Sequence, residues 1–339
     1  MMTGWLDILS IGPSVSVQDL GRPGHLAQGL SPGGGADRRA LYEAAALLGQ
    51  AAPRACLEMA GIGGRFRTTL DTRITLTGAP MRARLDGAPL RWNASHLLPA
   101  GSVLELGPCE SGAYGYLSFG GGLACAPLIG AQSAHLAAGI GERLQAATRL
   151  PLIADPTPDA PSLALIPEPR LSGGTLRVIP GPQTALFSAT ERARFFDTAF
   201  TVTRGNRQGV TLAHPGAPFA PDAAGSLVSD LITAGDIQMT GAGTPMVLLA
   251  ECQTVGGYPR LGTILPVDLP ILAQASPGTT LRFREIGLRE AEVVSPPESQ
   301  WLAPLRRACQ PLTRSAHDIA DLLGYQLISG MVRGDEEET

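Results

Sequence analysis

Alternation of apolar and polar residues dominates the first half of the chain. Ile74 and Leu76 alternate with polar neighbours over Arg73–Thr77, and Met81–Leu85 repeats the pattern. A period of two marks a half-buried strand. Asp86-Gly87 supplies a hairpin turn, with the return strand expected at Leu90–Trp92. Ser102–Leu106 and Tyr114–Phe119 predict two further strands. One segment breaks the rhythm: over Arg38–Leu48 the apolar residues Leu41, Ala44, Ala45 and Leu48 recur at helical spacing. Asp37 is placed to cap that helix and Gly49 to close it.

The pattern recurs further on. Thr175–Ile179, Phe200–Thr203, Asp236–Thr240, Pro245–Ala250 and Thr280–Arg284 predict strands. Ser188 and Glu191 have capping-box spacing at the start of a short helix, and Val267–Ala275 predicts another. Residues beyond Ser295 read as helical, with Ser315 as the cap of a last amphipathic helix. Between the halves, Pro151–Arg170 holds six prolines and little periodicity, which places a domain boundary there. The expected organisation is a first β domain over 1–155, a Pro-rich linker over 156–172, a second β domain over 173–290 and a helical extension over 291–339. Strand–turn–strand–glycine order repeats, at Gly101–Gly107 with Tyr116–Gly122 and at Gly235–Gly241 with Gly256-Gly257-Tyr258, which suggests two related β-barrels.

Composition agrees with a mainly β protein with short helices. The chain has 42 glycines and 29 prolines among 339 residues, too many interruptions for a helical bundle. Net charge is −4 and no dense basic run occurs, which disfavours a nucleic-acid groove. The acidic run Asp335–Glu338 is expected to be solvated. The amino terminus lacks a secretory pattern and no apolar run reaches the roughly 20 residues of a membrane span, so a cytoplasmic protein is expected. Five cysteines without CxxC spacing, and histidines without HxH or HExxH, give no reason to expect a disulfide framework or a metal site.

The candidate chemistry lies in a few polar segments. Gln18-Asp-Leu-Gly-Arg-Pro-Gly24 delivers an amide, a carboxylate and a guanidinium to a glycine-bracketed turn. Arg22 offers a planar fork for a carboxylate or phosphate, with Asp19 to orient it; the plainer alternative is an Asp19–Arg22 pair that holds the turn. Gly33-Gly34-Gly35 precedes a helix and so resembles an anion nest, but Asp37 at the cap opposes a second anion, and no P-loop lysine follows. Glu58 lies between Leu57 and Met59: pointing inward it is a candidate acid or base, pointing outward an ordinary strand carboxylate. Thr77 offers a hydroxyl in a turn. Gln238 sits on a strand, and Gln253-Thr254-Val-Gly256-Gly257-Tyr258-Pro-Arg260 gathers an amide, two hydroxyls and a guanidinium over glycines that allow close approach. The alternative there is a twisted hairpin with Arg260 paired to Asp268. Arg207 beside Gly209 adds another guanidinium. No Ser–His–Asp set can be nominated, and the histidines read as packed or surface residues.

In this order, Gln18–Gly24, Gly33–Asp37, Thr77–Pro80, Tyr116–Gly122, Val178–Gln183, Gly235–Gln238, Gln253–Arg260 and Ala273–Gly278 resemble the biotin-dependent carboxyltransferase family, also called allophanate hydrolase subunit 2. It contains the C subunit of 5-oxoprolinase and the second allophanate-hydrolase-like region of urea carboxylase. The resemblance implies two cyclophilin-like β-barrels. It implies a smaller partner of the allophanate hydrolase subunit 1 type, and a third subunit that opens the lactam 5-oxoproline. ATP would be used by the complex to activate the amide, and glutamate would be released. On this reading Arg22, Glu58 and Tyr258 are catalytic candidates. Gln18, Asp19, Asp37, Thr77, Arg207, Gln238, Gln253, Thr254, Gly256, Gly257 and Arg260 are substrate-binding candidates, and the two segments Gln18–Asp37 and Gln238–Arg260 are expected to line one cleft between the barrels. No Ala-Met-Lys-Met-like biotinyl site occurs, so a carboxyltransferase role would need a biotinylated partner. A third class, antagonists of a kinase inhibitor, would act by binding alone. The chain departs from the family pattern at Ala131, at Gly139-Ile-Gly-Glu-Arg143, and at Gln208, Glu251 and Val255.

Overall fold

The computed structural model describes residues 3–222 and 227–313. The expected Ser315 cap and the acidic run Asp335–Glu338 lie outside them. The first part runs β1 (Thr3–Ile11), β2 (Val15–Gln18), α1 (Arg38–Leu48), β3 (Cys56–Ala60), β4 (Gly64–Thr68) and β5 (Thr72–Gly78). It continues through β6 (Met81–Leu85), β7 (Ala88–Pro89), β8 (Ala94–Leu98), β9 (Val103–Cys109), β10 (Tyr114–Phe119), β11 (Arg149–Ile153) and β12 (Leu163–Ala164). Two sheets result, in the orders β11-β1-β4-β9-β6-β7 and β2-β3-β10-β5-β8-β12. The alternating apolar residues of both turn inward, with Leu6, Ile8, Leu57, Phe66, Leu76, Leu104 and Leu117 in one buried cluster. Each such side chain contributes roughly 1.5–3 kcal/mol through burial.

The Asp86-Gly87 turn forms, with φ of 47° and 86° at its two residues. The return strand is Ala88–Pro89 and not Leu90–Trp92. A two-residue turn pairs Leu85 directly with Ala88, and Pro89, lacking an N–H, sits on the sheet edge. Trp92 leaves the sheet and donates its indole N–H to the Gly78 carbonyl at 3.1 Å.

The second part is a closed barrel. Its elements are β13 (Gly174–Ile179), α2 (Ala189–Asp197), β14 (Phe200–Asn206), β15 (Gly209–Ala213), β16 (Asp230–Leu231), β17 (Asp236–Met239) and β18 (Pro245–Leu248). They continue with β19 (Val255–Gly256), β20 (Arg260–Ile264), α3 (Leu269–Gln274) and β21 (Thr280–Glu285). The barrel order is β13-β20-β17-β18-β15-β14-β21, while β16 and β19 pair as a separate ribbon. Ser188 caps α2 by accepting from the Glu191 N–H, at the expected capping-box spacing. Phe195, Phe200, Phe219 and Phe283 pack inside the barrel, and their cluster extends to Ala36, Leu41 and Tyr116 of the first part.

The proline-rich segment is held against the first part along its length. Pro151–Ile153 pair with β1, and Asp155 takes the Arg73 guanidinium at 2.9 Å. Arg170, at its end, reaches both Asp37 at 2.8 Å and Glu43. After the barrel come α4 (Leu288–Val294), α5 (Leu302–Ala308) and β22 (Gln310–Pro311). Trp301, Leu302 and Leu305 pack on Tyr42, Ala45 and Ala46 of α1, and β22 joins the edge strand β12. The end of the described chain thus returns to the first part.

Candidate functional site between the two β units

Strand register builds the site. Ser16, Glu58, Tyr116 and Thr77 are consecutive cross-strand partners on β2, β3, β10 and β5, so their side chains form one row. The period of two sends Leu57 and Met59 into the sheet core and Glu58 out of the opposite face. Glu58 is nevertheless only 2% exposed, because the barrel covers it. Its Oε2 accepts from the Ala36 N–H and the Tyr116 hydroxyl, each at 2.7 Å, and its Oε1 accepts from Arg207. Both Glu58 oxygens are thus engaged, and the carboxylate anchors Ala36, Tyr116 and Arg207 at the edge of the cleft. Thr77 donates to the Ala40 carbonyl at 3.0 Å and so holds α1 on the sheet.

Arg207 comes from the tip of the β14–β15 hairpin, where Asn206 pairs with Gly209 across a two-residue turn. The Asn206 Oδ1 accepts the N–H groups of Gln208 and Gly209 and fixes that turn. The hairpin drives the guanidinium into the first unit. There it meets Glu58, the Glu251 Oε1 at 2.5 Å and the Gly34 carbonyl at 2.6 Å. Burial works to lower the pKa of Arg207, but Glu58 and Glu251 outweigh it and raise the value. Burial likewise works against ionised Glu251; the charge and hydrogen bond of Arg207, with backbone N–H donors at Ala137 and Leu136, hold its carboxyl below the usual range. Burial, followed by the nearby Glu58, pushes the phenols of Tyr114 and Tyr116 up, so both remain donors at neutral pH.

Around this ion cluster lies a cleft of about 390 Å³ between the units. Ser14, Ser16, Tyr114 and Arg143 line it from the first unit, and Asn206 and Gln208 from the barrel. Glu58, Arg207 and Glu251 line it too, so hydroxyls, amides, two guanidiniums and two carboxylates on a partly apolar wall suit a small polar ligand. A second, mainly apolar cavity of about 280 Å³ lies by Leu20, Pro32, Leu249 and Leu269.

The remaining candidate residues are dispersed. Asp37 caps α1 by accepting from the Ala40 N–H, and its other oxygen takes Arg170 and Gln274, each at 2.8 Å. Asp19 does not pair with Arg22; its oxygens accept the N–H groups of Gly21 and Gln132, each at 2.7 Å. Arg22 is 1% exposed and donates to the carbonyls of Leu128 and Ser133. Gln18 donates to the Ser16 hydroxyl and the Ala134 carbonyl. On the barrel flank, Gln238 is buried against Gly256, while Gln253, Gly257 and the half-exposed Tyr258 face outward. Thr254 is buried.

Arg260 pairs with Asp230 and Asp236, not with Asp268, which belongs to Arg177. The reason is register: β20 lies beside β17 with Arg260 opposite Gln238, from where its guanidinium reaches Asp236 and, in the β16 ribbon, Asp230. The expected shared cleft is corrected accordingly: residues of 18–37 and 238–260 do share a cavity, the apolar one lined by Leu20, Pro32, Gly33, Leu249 and Ala250, but the polar side chains expected to meet in one cleft are not gathered there. Neither Arg22, Tyr258 nor Arg260 lines the inter-unit cleft, and the barrel reaches it through the Arg207 hairpin and Glu251.

Sequence reading missed the pairing of Ser31 with His135, whose Oγ and Nε2 are 2.8 Å apart, and the parts of Tyr114 and Ser16. The Tyr114-x-Tyr116 alternation on one strand was the available signal. The Gly33–Gly35 turn does not fit a nucleotide. Its Gly33 and Gly35 N–H groups are taken by the carbonyls of Ala250 and Asp19, and the chain has no lysine, all 26 basic residues being arginine. Among the described residues no group of three His, Cys, Asp or Glu is arranged to hold a metal, and no helix is long and apolar enough to cross a membrane.

Known proteins share this arrangement. The model of the carboxyltransferase domain, subdomains A and B, matches residues 28–285. The C subunit of 5-oxoprolinase from Escherichia coli is 31% identical over 294 residues, which cover 84% of this chain and 93% of that protein. The same subunit of the Haemophilus influenzae enzyme is 28% identical over 306 residues, covering 89% and 98%. The crystal structure of TTHA0988 superposes with a TM-score of 0.75 at 32% identity over 83% of this chain, which spans 56% of that longer one. With the match extending from Gln28, ahead of the Gly33–Asp37 turn, through the last barrel strand, this chain belongs to the family of the carboxyltransferase domain, subdomains A and B.

Proposed function

We propose that this chain is the C subunit of an ATP-dependent 5-oxoprolinase, a cytoplasmic hydrolase of several subunits that opens 5-oxo-L-proline to L-glutamate. The observation that carries the reading is the similarity to two named C subunits over nearly their whole length. The cleft supports it chemically: Tyr114, Ser16 and Arg143 offer donors suited to a lactam carbonyl and a carboxylate. Arg207, with Glu58 and Glu251, holds the two walls in register. The network has no free nucleophile–base pair, and the glycine turn does not fit a nucleotide, so the ATP-using step falls to a partner. The partners are a smaller subunit of the allophanate hydrolase subunit 1 type and a third subunit that opens the ring.

The test is glutamate release from 5-oxoproline, measured for the pure chain and for the chain purified with both partners. The reading expects ATP-dependent release from the assembly only. Robust release by the isolated chain, or none by a stable complete assembly, would refute it.

A further inference from the structure

The apolar cavity of about 280 Å³ takes no part in the proposed reaction, yet both units and the segment after the barrel build it. Leu20, Pro32 and Ala36 come from the first unit, Leu249 and Leu269 from the barrel, and Glu298 from the segment that returns to α1. The backbone donors of its glycine turn are already engaged. The Gly33 and Gly35 N–H groups donate to the carbonyls of Ala250, at 3.0 Å, and Asp19, at 2.9 Å, and the Ala36 N–H donates to Glu58. What the cavity offers an occupant is an apolar wall with one charged end, the Arg38–Glu298 pair.

That pair sets the charge of the occupant. Arg38 Nε and Nη2 donate to the two Glu298 oxygens, each at 2.6 Å, and Nη1 donates to the Leu20 carbonyl at 2.6 Å. The two charges cancel. An anion would compete with Glu298 and a cation with Arg38, and either would give up its hydration against apolar walls. A neutral head group avoids that cost. A guanidinium has two N–H groups on each Nη nitrogen, and one on each of Nη1 and Nη2 is engaged here, so Arg38 keeps donors to spare and Glu298 keeps lone pairs. A hydroxyl or a carboxamide uses both. An apolar cavity of roughly 150 Å³ accepts benzene; this larger one has room for a ring with a short substituent.

The cavity and the polar cleft share two strips of chain. In the first, Gly33, Gly35 and Ala36 line the cavity, while the Gly34 carbonyl takes the Arg207 guanidinium of the cleft at 2.6 Å. In the second, Leu249 and Ala250 line the cavity and the next residue, Glu251, lines the cleft. The Gly33–Ala250 hydrogen bond ties the strips together. We infer that the apolar cavity is a second ligand site, for a small neutral molecule with an apolar body and one hydroxyl or carboxamide group, and that its occupant braces the two strips that hold Arg207 and Glu251. The apolar body gains by leaving water, and the head group meets the Arg38–Glu298 pair. An occupant that bridges both units also resists their separation, so its effect reaches the cleft without entering it.

The test uses the full chain, without partners or ATP, at constant ionic strength. Calorimetric binding is measured with benzyl alcohol, toluene, sodium benzoate and benzylammonium chloride, and amide hydrogen exchange locates the bound probe. The inference expects saturable binding of benzyl alcohol, weaker binding of toluene, and binding of both ions weaker than benzyl alcohol by about tenfold or more. With benzyl alcohol bound, exchange should slow by about threefold or more in peptides covering 33–36 and 249–251. Ala234→Leu, at a residue that lines the cavity, should remove binding by filling the space, and Ala250→Leu replaces it if that variant does not fold. If neither folds, the wild-type exchange pattern decides. No saturable binding of benzyl alcohol, benzoate or toluene binding as tightly, undiminished binding in a filled variant, or slowing confined to other peptides would each overturn the inference. No step reads 5-oxoproline or its hydrolysis, so failure here is distinct from failure of the assembly assay.

Discussion

Arg207 satisfies two carboxylates and a carbonyl at once, across a sequence separation of 149 residues from Glu58. Removing it leaves two buried anions without a cation. Arg207→Met should cost about 3–5 kcal/mol of stability, read from chemical denaturation. Arg207→Lys should not restore it, because one ammonium cannot reproduce a three-way planar fork. Glu251 sets a pH dependence. Its folded pKa is held below the unfolded value of about 4.3, so its contribution is present above that pH and is lost as pH falls through the folded value. Melting temperature should therefore drop on acidification below about pH 4.3, and Glu251→Gln should make the drop shallower. A profile unchanged by Glu251→Gln would contradict the assignment. Two positions that depart from the family pattern, Gln208 and Glu251, line this cleft beside Arg143, the arginine that closes the altered segment 139–143. Their departures are visible along the chain, but nothing local to any of them shows that they meet.

At the scale of elements, local signals were readable and long-range coverage was not. The cap, stripe and closing glycine of α1 are all short-range, and the helix runs Arg38–Leu48 as expected. The hairpin after β6 is shorter than alternation suggests: its strand pairing ends at Arg84 with Pro89, followed by one more bond from the Leu90 N–H to the Ala83 carbonyl. The burial of Glu58 was hidden because what covers it comes from the other unit. The turn before α1 yields a sharp prediction. Gly34 has φ 83°, and a Cβ there would lie 2.7 Å from the Gly21 nitrogen and 2.8 Å from the Asp19 oxygen. Backbone atoms cannot yield as a side-chain tip would, and the Gly34 carbonyl also holds Arg207. Gly34→Ala should lower stability by at least about 1–3 kcal/mol in thermal or denaturant unfolding. Gly87→Ala, with open space around its Cβ, should cost less than Gly34→Ala despite a similar φ of 86°.

For the whole molecule, the mainly β architecture was legible from alternation and turn density, while the meeting of the two units was not. Gln274 shows why. Its amide donates to Asp37 and the Tyr114 carbonyl, and its oxygen accepts the Ala113 and Tyr114 N–H groups, so one α3 side chain fastens the barrel to the first unit. Nothing local to 269–274 marks that role. The segment 253–260 misled in the opposite sense: dense in polar groups, it lies on the barrel flank with Arg260 tied to Asp230 and Asp236. Chemistry-bearing residue types were visible, but their grouping depends on which faces two separately folded sheets present to each other.

The central claim is that the inter-unit cleft handles 5-oxoproline within an assembly. Its most direct test is the rate of ATP-dependent glutamate formation by the complete complex carrying Arg143→Met or Tyr114→Phe. Both side chains line the cleft, and neither hydrogen-bonds to Arg207, Glu58 or Glu251. The account predicts unchanged assembly and melting temperature, with the rate lowered about tenfold or more by loss of a charge-assisted contact in Arg143→Met, and by less in Tyr114→Phe. Wild-type rates in both variants would contradict it.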